Sequence, residues 1–232
     1  RTPAHAETLL VSGSTTVLPV AQLTAEAFMA KNPDVDLQIS GGGSSVGIQA
    51  AGSGTADIGM ASRDLKESEK EAYPDLVKHV VALDGIVIIV NPENSLGSLT
   101  LDEVRGIYNG TYRNWNELGG PDQEIVVTGR DSASGTREFF HETVMQKEDF
   151  VETQLEKNSN GAVKQTVAQT PGAIGYVGLG YIDASVKALP IDAGSGPVEP
   201  TIENIEDGTY PLARELFMFT RGEPTGLAAE YL

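Results

Sequence analysis

Apolar and polar residues change period repeatedly along this chain, and the changes predict its elements. Leu9 to Val11 is a short apolar strand that runs into Ser12-Gly13-Ser14-Thr15-Thr16. Pro19 stands where a first helical turn tolerates proline, and Val20, Leu23 and Ala27 follow at helical spacing until Asn32-Pro33 ends the run. The result is a strand, a hydroxyl-rich turn and a helix. Val35, Leu37 and Ile39 then alternate with polar residues as a half-buried strand does. Ser40-Gly41-Gly42-Gly43-Ser44-Ser45 leads from it into a helix from Val46, repeating the arrangement. Glycine-rich stretches are often flexible linkers, but one lying between a strand and an apolar helix points to backbone that must come close to something.

Further along, Ala56 to Ala61 is a short buried strand ending at Ser62-Arg63-Asp64, and Ser68 with Glu71 forms a capping box that opens the next helix. Val80 to Val90 is strand-like, interrupted by Asp84-Gly85, and suggests the chain crossing from one lobe into another. Thr100 with Glu103 caps a helix that stops near Asn109-Gly110. Ile125 to Thr128 feeds Gly129 to Phe140, GRDSASGTREFF, ahead of a helix over Arg137 to Met145, a third strand, hydroxyl-rich turn and helix. Asn160-Gly161 starts an amphipathic helix carrying Val163 and Val167, and strands follow at Ala173 to Val177, Val186 to Ile191 and Leu216 to Thr220. Strands alternating with helices imply an α/β protein with parallel sheets covered on both faces. Ligands of such sheets sit beyond the carboxyl ends of the strands, where all three hydroxyl-rich turns fall.

Composition narrows the partners. The 232 residues allow one large domain or two small ones. Acidic residues outnumber basic ones 33 to 16, for a formal net charge of -17, which argues against nucleic acid or an anionic membrane surface as partner. An anionic ligand is not excluded, because the Debye length is about 8 Å at physiological ionic strength and a small site is governed by its own lining. The absence of cysteine removes disulfides and thiol chemistry, and His5, His79 and His141 show no paired metal-ligand spacing, so neither cofactor nor metal is expected. The apolar run Ile86 to Val90 is too short to span a bilayer. A chain beginning at Arg1 fits a processed, extracytoplasmic protein whose export signal or anchor has been removed.

The turns carry the chemistry. Taken alone, Ser134 or Thr136 caps a helix and Arg130 pairs with a surface carboxylate. Repetition of the device favours another reading: Ser14, Thr15 and Thr16, Ser44 and Ser45, Ser62 and Arg63, and Arg130, Ser134, Gly135 and Thr136 converge as a socket for a small oxyanion. Helix starts leave N–H groups unpaired, hydroxyls add donors and the arginine adds charge. No lysine follows a glycine, so a Walker A nucleotide site is ruled out. Trp115 and Tyr112 read as loop packing, and Asn109-Gly110-Thr111 as a helix stop that is also a formal glycosylation acceptor.

SGSTTVLPVA at Ser12 to Ala21, GGGSSVGIQA at Gly41 to Ala50, ADIGMASRDL at Ala56 to Leu65, NWNELGG at Asn114 to Gly120, GRDSASGTREFF, GAIGYV at Gly172 to Val177 and YPLARELFMFT at Tyr210 to Thr220 resemble, in order, the phosphate-binding proteins of ABC phosphate importers, the PstS family. The resemblance implies a two-lobed type II periplasmic-binding-protein fold, with residues 1–87 and 187–232 in one lobe, 88–186 in the other, two hinge strands between them and phosphate in the cleft. It implies a monomeric, non-enzymatic protein whose partners are inorganic phosphate and a membrane permease. Thr15, the Thr16 backbone and Ser44 match family contacts, as do Arg130, Ser134, Gly135 and Thr136. Longer members carry an aspartate where this chain has Ser62, and another where it has Ser132 beside Asp131. A carboxylate there accepts the proton of phosphate and rejects sulfate, so Asp131 or Asp64 is expected to substitute. The family also continues past the strand at Leu216 to Thr220 with a long helix and further chain, which implies a truncated C-terminus here.

Two alternatives stand beside this reading. One keeps the fold and changes the anion to sulfate or molybdate. The other is a serine hydrolase, because Gly43-Ser44-Ser45-Val46-Gly47 fits G-x-S-x-G, with Ser45 as nucleophile and His79 or His141 as base.

Overall fold

The structure, a computed structural model, describes residues 7–232; His5 lies outside the described residues. In chain order the elements are β1 (Glu7–Gly13), α1 (Leu18–Lys31), β2 (Val35–Ser40), α2 (Ser44–Ser53), β3 (Ile58–Ala61), α3 (Glu67–Ala72), β4 (Leu76–Val90), β5 (Leu99–Thr100), α4 (Leu101–Tyr108), β6 (Val126–Arg130) and α5 (Gly135–Thr143). They continue with β7 (Leu155–Lys157), α6 (Asn160–Gln169), β8 (Ala173–Gly178), β9 (Lys187–Leu189), β10 (Ile191–Asp192), β11 (Pro197–Val198), α7 (Ile202–Glu206), β12 (Ala213–Arg221) and α8 (Gly226–Tyr231). Contacts divide the described residues into two compact units, 7–82 with 133–135 and 215–232, and 83–132 with 136–214.

In the first unit β1 pairs in parallel with β2 on one side and β3 on the other, and β12 pairs antiparallel with β3. Leu9 and Val11 of β1 pack with Leu37, Ile58, Met60, Leu216 and Met218. The helix α1 lies on this core through Val17, Ala21 and Ala25, all buried. The expected face was different: Leu23 is 70% exposed and Val20 only half-buried. Alanines at an i, i+4 spacing let the helix approach the strands closely, and that contact outweighs the larger side chains on the other face.

In the second unit β4 pairs antiparallel with β8 and β9, and β8, β6 and β7 run parallel in order. Ile86 to Val90 are all fully buried, so this strand is covered on both faces. The predicted strand Val186 to Ile191 is divided: β9 pairs with β4, and β10 with β5. Pro190 lies at the break, where it has no N–H to continue a ladder and its carbonyl instead accepts from Leu99 N at 3.2 Å. The capping box of α4 forms as expected: Glu103 N donates to Thr100 Oγ1 at 3.0 Å and Thr100 N to Glu103 Oε1 at 2.9 Å. Trp115 is fully buried, its indole N–H donating to Gly172 O at 3.0 Å, which is a packing role.

The helix after Arg63 starts earlier than Ser68 with Glu71 predicts. It opens at Glu67, because Glu69 Oε1 accepts the Lys66 N–H at 2.9 Å and the same carboxylate is drawn in by Arg63. Likewise α5 opens at Gly135, not Arg137. No helix among the described residues is long and apolar enough to cross a membrane.

Candidate functional site

Four segments of the first unit meet at the carboxyl ends of β1, β2 and β3. After β1, Ser14, Thr15 and Thr16 are all at most 6% exposed. Ser14 Oγ accepts from the N–H groups of Thr16 and Val17, at 3.2 and 3.4 Å, so one hydroxyl shapes the turn into α1. After β2, the glycine run brings the backbone against β1, with Gly43 N donating to Gly13 O at 3.0 Å. The start of α2 has no side-chain cap; instead Ser45 N donates to Ala133 O at 3.1 Å.

Ser44 and Ser62 are fixed to each other. Ser62 N donates to Ser44 Oγ at 2.9 Å, and the two hydroxyls lie 3.2 Å apart, both buried. The fourth segment, Ala133 to Gly135, lies directly on them. A Cβ on Gly135 would overlap Ser44 Oγ and come within 2.8 Å of Ser62 Oγ. The first unit therefore gathers Ser14, Thr15, Thr16, Ser44, Ser45, Ser62, Arg63, Ser134 and Gly135.

Arg63 holds the rim. Its guanidinium grips Glu69 through two bonds, of 2.7 and 3.0 Å, and donates to Ser45 Oγ at 3.0 Å. Burial works to raise the Glu69 pKa, but the Arg63 bond, the Lys66 N–H and the arginine charge together bring it below the ordinary value. The G-x-S-x-G pattern has a packing explanation here. Gly43 adopts φ 101° against the Ala133 carbonyl, and a Cβ on Gly47 would strike Met60 O and Ser12 O. His79 Nε2 lies 2.9 Å from Thr220 Oγ1, while His141 leans on the Phe150 ring.

The second unit holds Arg130, Asp131 and Thr136. Arg130 ends β6 and is 2% exposed. Its Nε and Nη2 donate to the carbonyls of Lys157 and Asn158, both at 3.3 Å, and its N–H to Tyr176 Oη at 3.3 Å. These carbonyls orient the guanidinium without cancelling its charge. Desolvation lowers its pKa, with Tyr176 and Asp131 acting the other way, and an arginine so shifted stays a cation at neutral pH. Asp131 is half-buried, its N–H donating to Lys157 O at 3.0 Å. Asp64 faces outward instead, taking Lys78 at 2.8 Å and the Leu65 N–H at 2.8 Å. Thr136 is 1% exposed and accepts from Arg214 Nη2 at 2.9 Å. Arg214 and its partner Asp84 escaped the sequence reading, since 130 residues separate them and no local pattern marks either.

Donors on turns and helix starts suit a small tetrahedral oxyanion. Comparison with known proteins agrees in fold and family. A PBP superfamily domain model matches residues 1–232. The phosphate-binding protein PstS of Bacillus subtilis (strain 168) is 39% identical over 225 residues, 97% of this chain and 73% of that protein. Among solved structures, a Clostridium perfringens protein described as a phosphate ABC transporter substrate-binding protein, with bound phosphate, is 39% identical with a TM-score of 0.90, covering 97% of this chain and 90% of that one. An ABC-type phosphate transport receptor from Vibrio cholerae is 34% identical with a TM-score of 0.73, over 97% and 90% of the two chains. The architecture is that of the type II periplasmic-binding-protein fold.

Proposed function

We propose that this chain, which belongs to the PstS family of phosphate-binding proteins within the PBP superfamily, captures inorganic phosphate and delivers it to the membrane permease of an ABC importer. The observation that carries the reading is the buried cluster of Ser14, Thr15, Thr16, Ser44, Ser62 and Ser134, closed over by Gly135. Hydroxyls gathered with helix-start N–H groups in one small buried cluster are the donors a small anion accepts from. We assign phosphate contacts to Thr15, Ser44, Ser134 and Thr136, to the backbone N–H groups of Thr16 and Gly135, and to the Arg130 guanidinium. Arg63, committed to Glu69, acts through Ser45 as a brace. The same reading makes the protein an extracytoplasmic monomer that binds and releases its ligand without chemistry.

Selectivity needs an acceptor for the phosphate proton. A hydroxyl at Ser62 donates as readily as it accepts, and Asp64 is occupied by Lys78 at an exposed position. Asp131, half-buried beside Arg130, is the carboxylate we assign to this task.

Calorimetric titration tests the site. Arg130→Ala is expected to weaken phosphate binding by at least ~10-fold, since a hydrogen bond to a charged group contributes about 1.5–3 kcal/mol. Lys66→Ala, on the exposed start of α3, leaves binding unchanged. Equal effects of the two substitutions would overturn the assignment.

A further inference from the structure

Asp84, Thr136 and Arg214 form a buried cluster that phosphate contact alone does not explain. Arg214 Nε and Nη2 both donate to Asp84 Oδ2, at 3.1 and 3.0 Å, and Asp84 Oδ1 accepts from Leu179 N at 3.0 Å. The same Nη2 donates to Thr136 Oγ1 at 2.9 Å. The guanidinium also lies over the Phe139 ring, 5.6 Å from its centroid, so it touches α5 at two positions one turn apart. All three polar residues are at most 6% exposed. A buried ion pair is weak support for stability, because two apolar residues of similar size do as well or better. Its retention asks for another role.

Placement along the chain suggests one. Asp84 is the second residue of the second unit, Thr136 is the first residue where the backbone re-enters it, and Arg214 is the last before the backbone leaves. The cluster thus ties together three of the four points at which the chain enters or leaves that unit. Thr136 sits at the first turn of α5, which the resemblance to the family assigns to the anion site.

A threonine hydroxyl has one proton and two lone pairs, whereas an arginine N–H only donates. The bond from Arg214 therefore takes a lone pair of Thr136 Oγ1 and turns the threonine proton away from the guanidinium. A cation at this distance also polarises the O–H bond and strengthens it as a donor. We propose that Arg214, locked in place by Asp84, is a positioning residue that fixes the Thr136 hydroxyl as a hydrogen-bond donor to the bound oxyanion. This rests on the assignment of Thr136 as a phosphate contact.

The test is a double-mutant cycle read by phosphate calorimetry, with thermal unfolding followed in parallel. Replacing both partners, Asp84→Asn with Arg214→Gln, avoids stranding a buried charge. This pair variant is expected to weaken phosphate binding about 10-fold, as Thr136→Val does, because each removes one oriented donor. Combined with T136V, the pair variant binds no more than about 2-fold more weakly than T136V alone, since the contact through which Arg214 acts is already gone. Losses that multiply in full, or a pair variant that binds phosphate like the wild type, overturn the proposal. If the pair variant does not fold, Arg214→Lys carries the test: it keeps the charge and a donor, weakens phosphate binding in the wild-type background and is neutral in the T136V background, and a loss of the same size in both overturns the proposal. Wild-type protein that binds no phosphate defeats the functional reading itself, and T136V that binds like wild type removes the contact on which this inference stands.

Discussion

Gly135 shows how tightly the individual residues of the site are specified. Its Cα lies against Ser44 and Ser62, where any side chain would push the two hydroxyls apart. Substitution by alanine leaves the helix propensity of α5 improved on intrinsic grounds, yet we expect Gly135→Ala to weaken phosphate binding by at least ~10-fold, through displacement of donors whose hydrogen bonds contribute about 1 kcal/mol each. Calorimetry on a variant shown to be folded by circular dichroism checks this. At this scale the sequence was informative where chemistry is local. Hydroxyls after strands, and an arginine ahead of a helix, stand out by type and spacing. Arg214 did not, because its meaning lies in Asp84 and Thr136, which lie 130 and 78 residues away in the chain. Arg63 stood out for its position, but nothing in the sequence announced that Glu69 would take both of its nitrogens.

Among the elements, strands were read more accurately than helix faces. Alternation in β2 and the continuous apolar run of β4 follow directly from burial on one face or two. The face of α1 did not, because Ala21 and Ala25 pack by being small, and periodicity arguments weigh size. The short helix α3 is set by its link to Arg63 as much as by its own caps. Glu69 has its pKa lowered below the usual 4.5, despite burial, by Arg63 and the Lys66 N–H. A depressed carboxylate stabilises the fold above its unfolded pKa, and that contribution is lost as pH falls through the folded value. Glu69→Gln should therefore lower the melting temperature at neutral pH, with the difference from wild type shrinking as the solution is acidified below the usual glutamate pKa. A difference independent of pH would show that the pair contributes packing and not charge.

For the whole molecule, the α/β class and the succession of three strand, turn and helix segments were legible because each is a local pattern repeated. The three-residue excursion of the backbone at Ala133 to Gly135, which belongs with the first unit while its neighbours on both sides belong with the second, was not. No composition or period marks a crossing that short. The net charge of -17 also looked unfavourable for an anion-binding protein. The buried candidate residues in each unit carry hydroxyl or guanidinium groups, while most carboxylates lie on the surface, and screening leaves a small site governed by its own lining. On our assignment these residues bind phosphate and, through Asp131, distinguish it from a fully ionised oxyanion. Isothermal titration of the wild-type protein with phosphate and with sulfate, across the pH range in which phosphate passes from monoanion to dianion, tests this assignment. Phosphate is expected to bind more tightly than sulfate by at least ~10-fold throughout, because two acceptors facing each other leave both unpaired. Sulfate binding as tight as phosphate would overturn the assignment of phosphate and of Asp131.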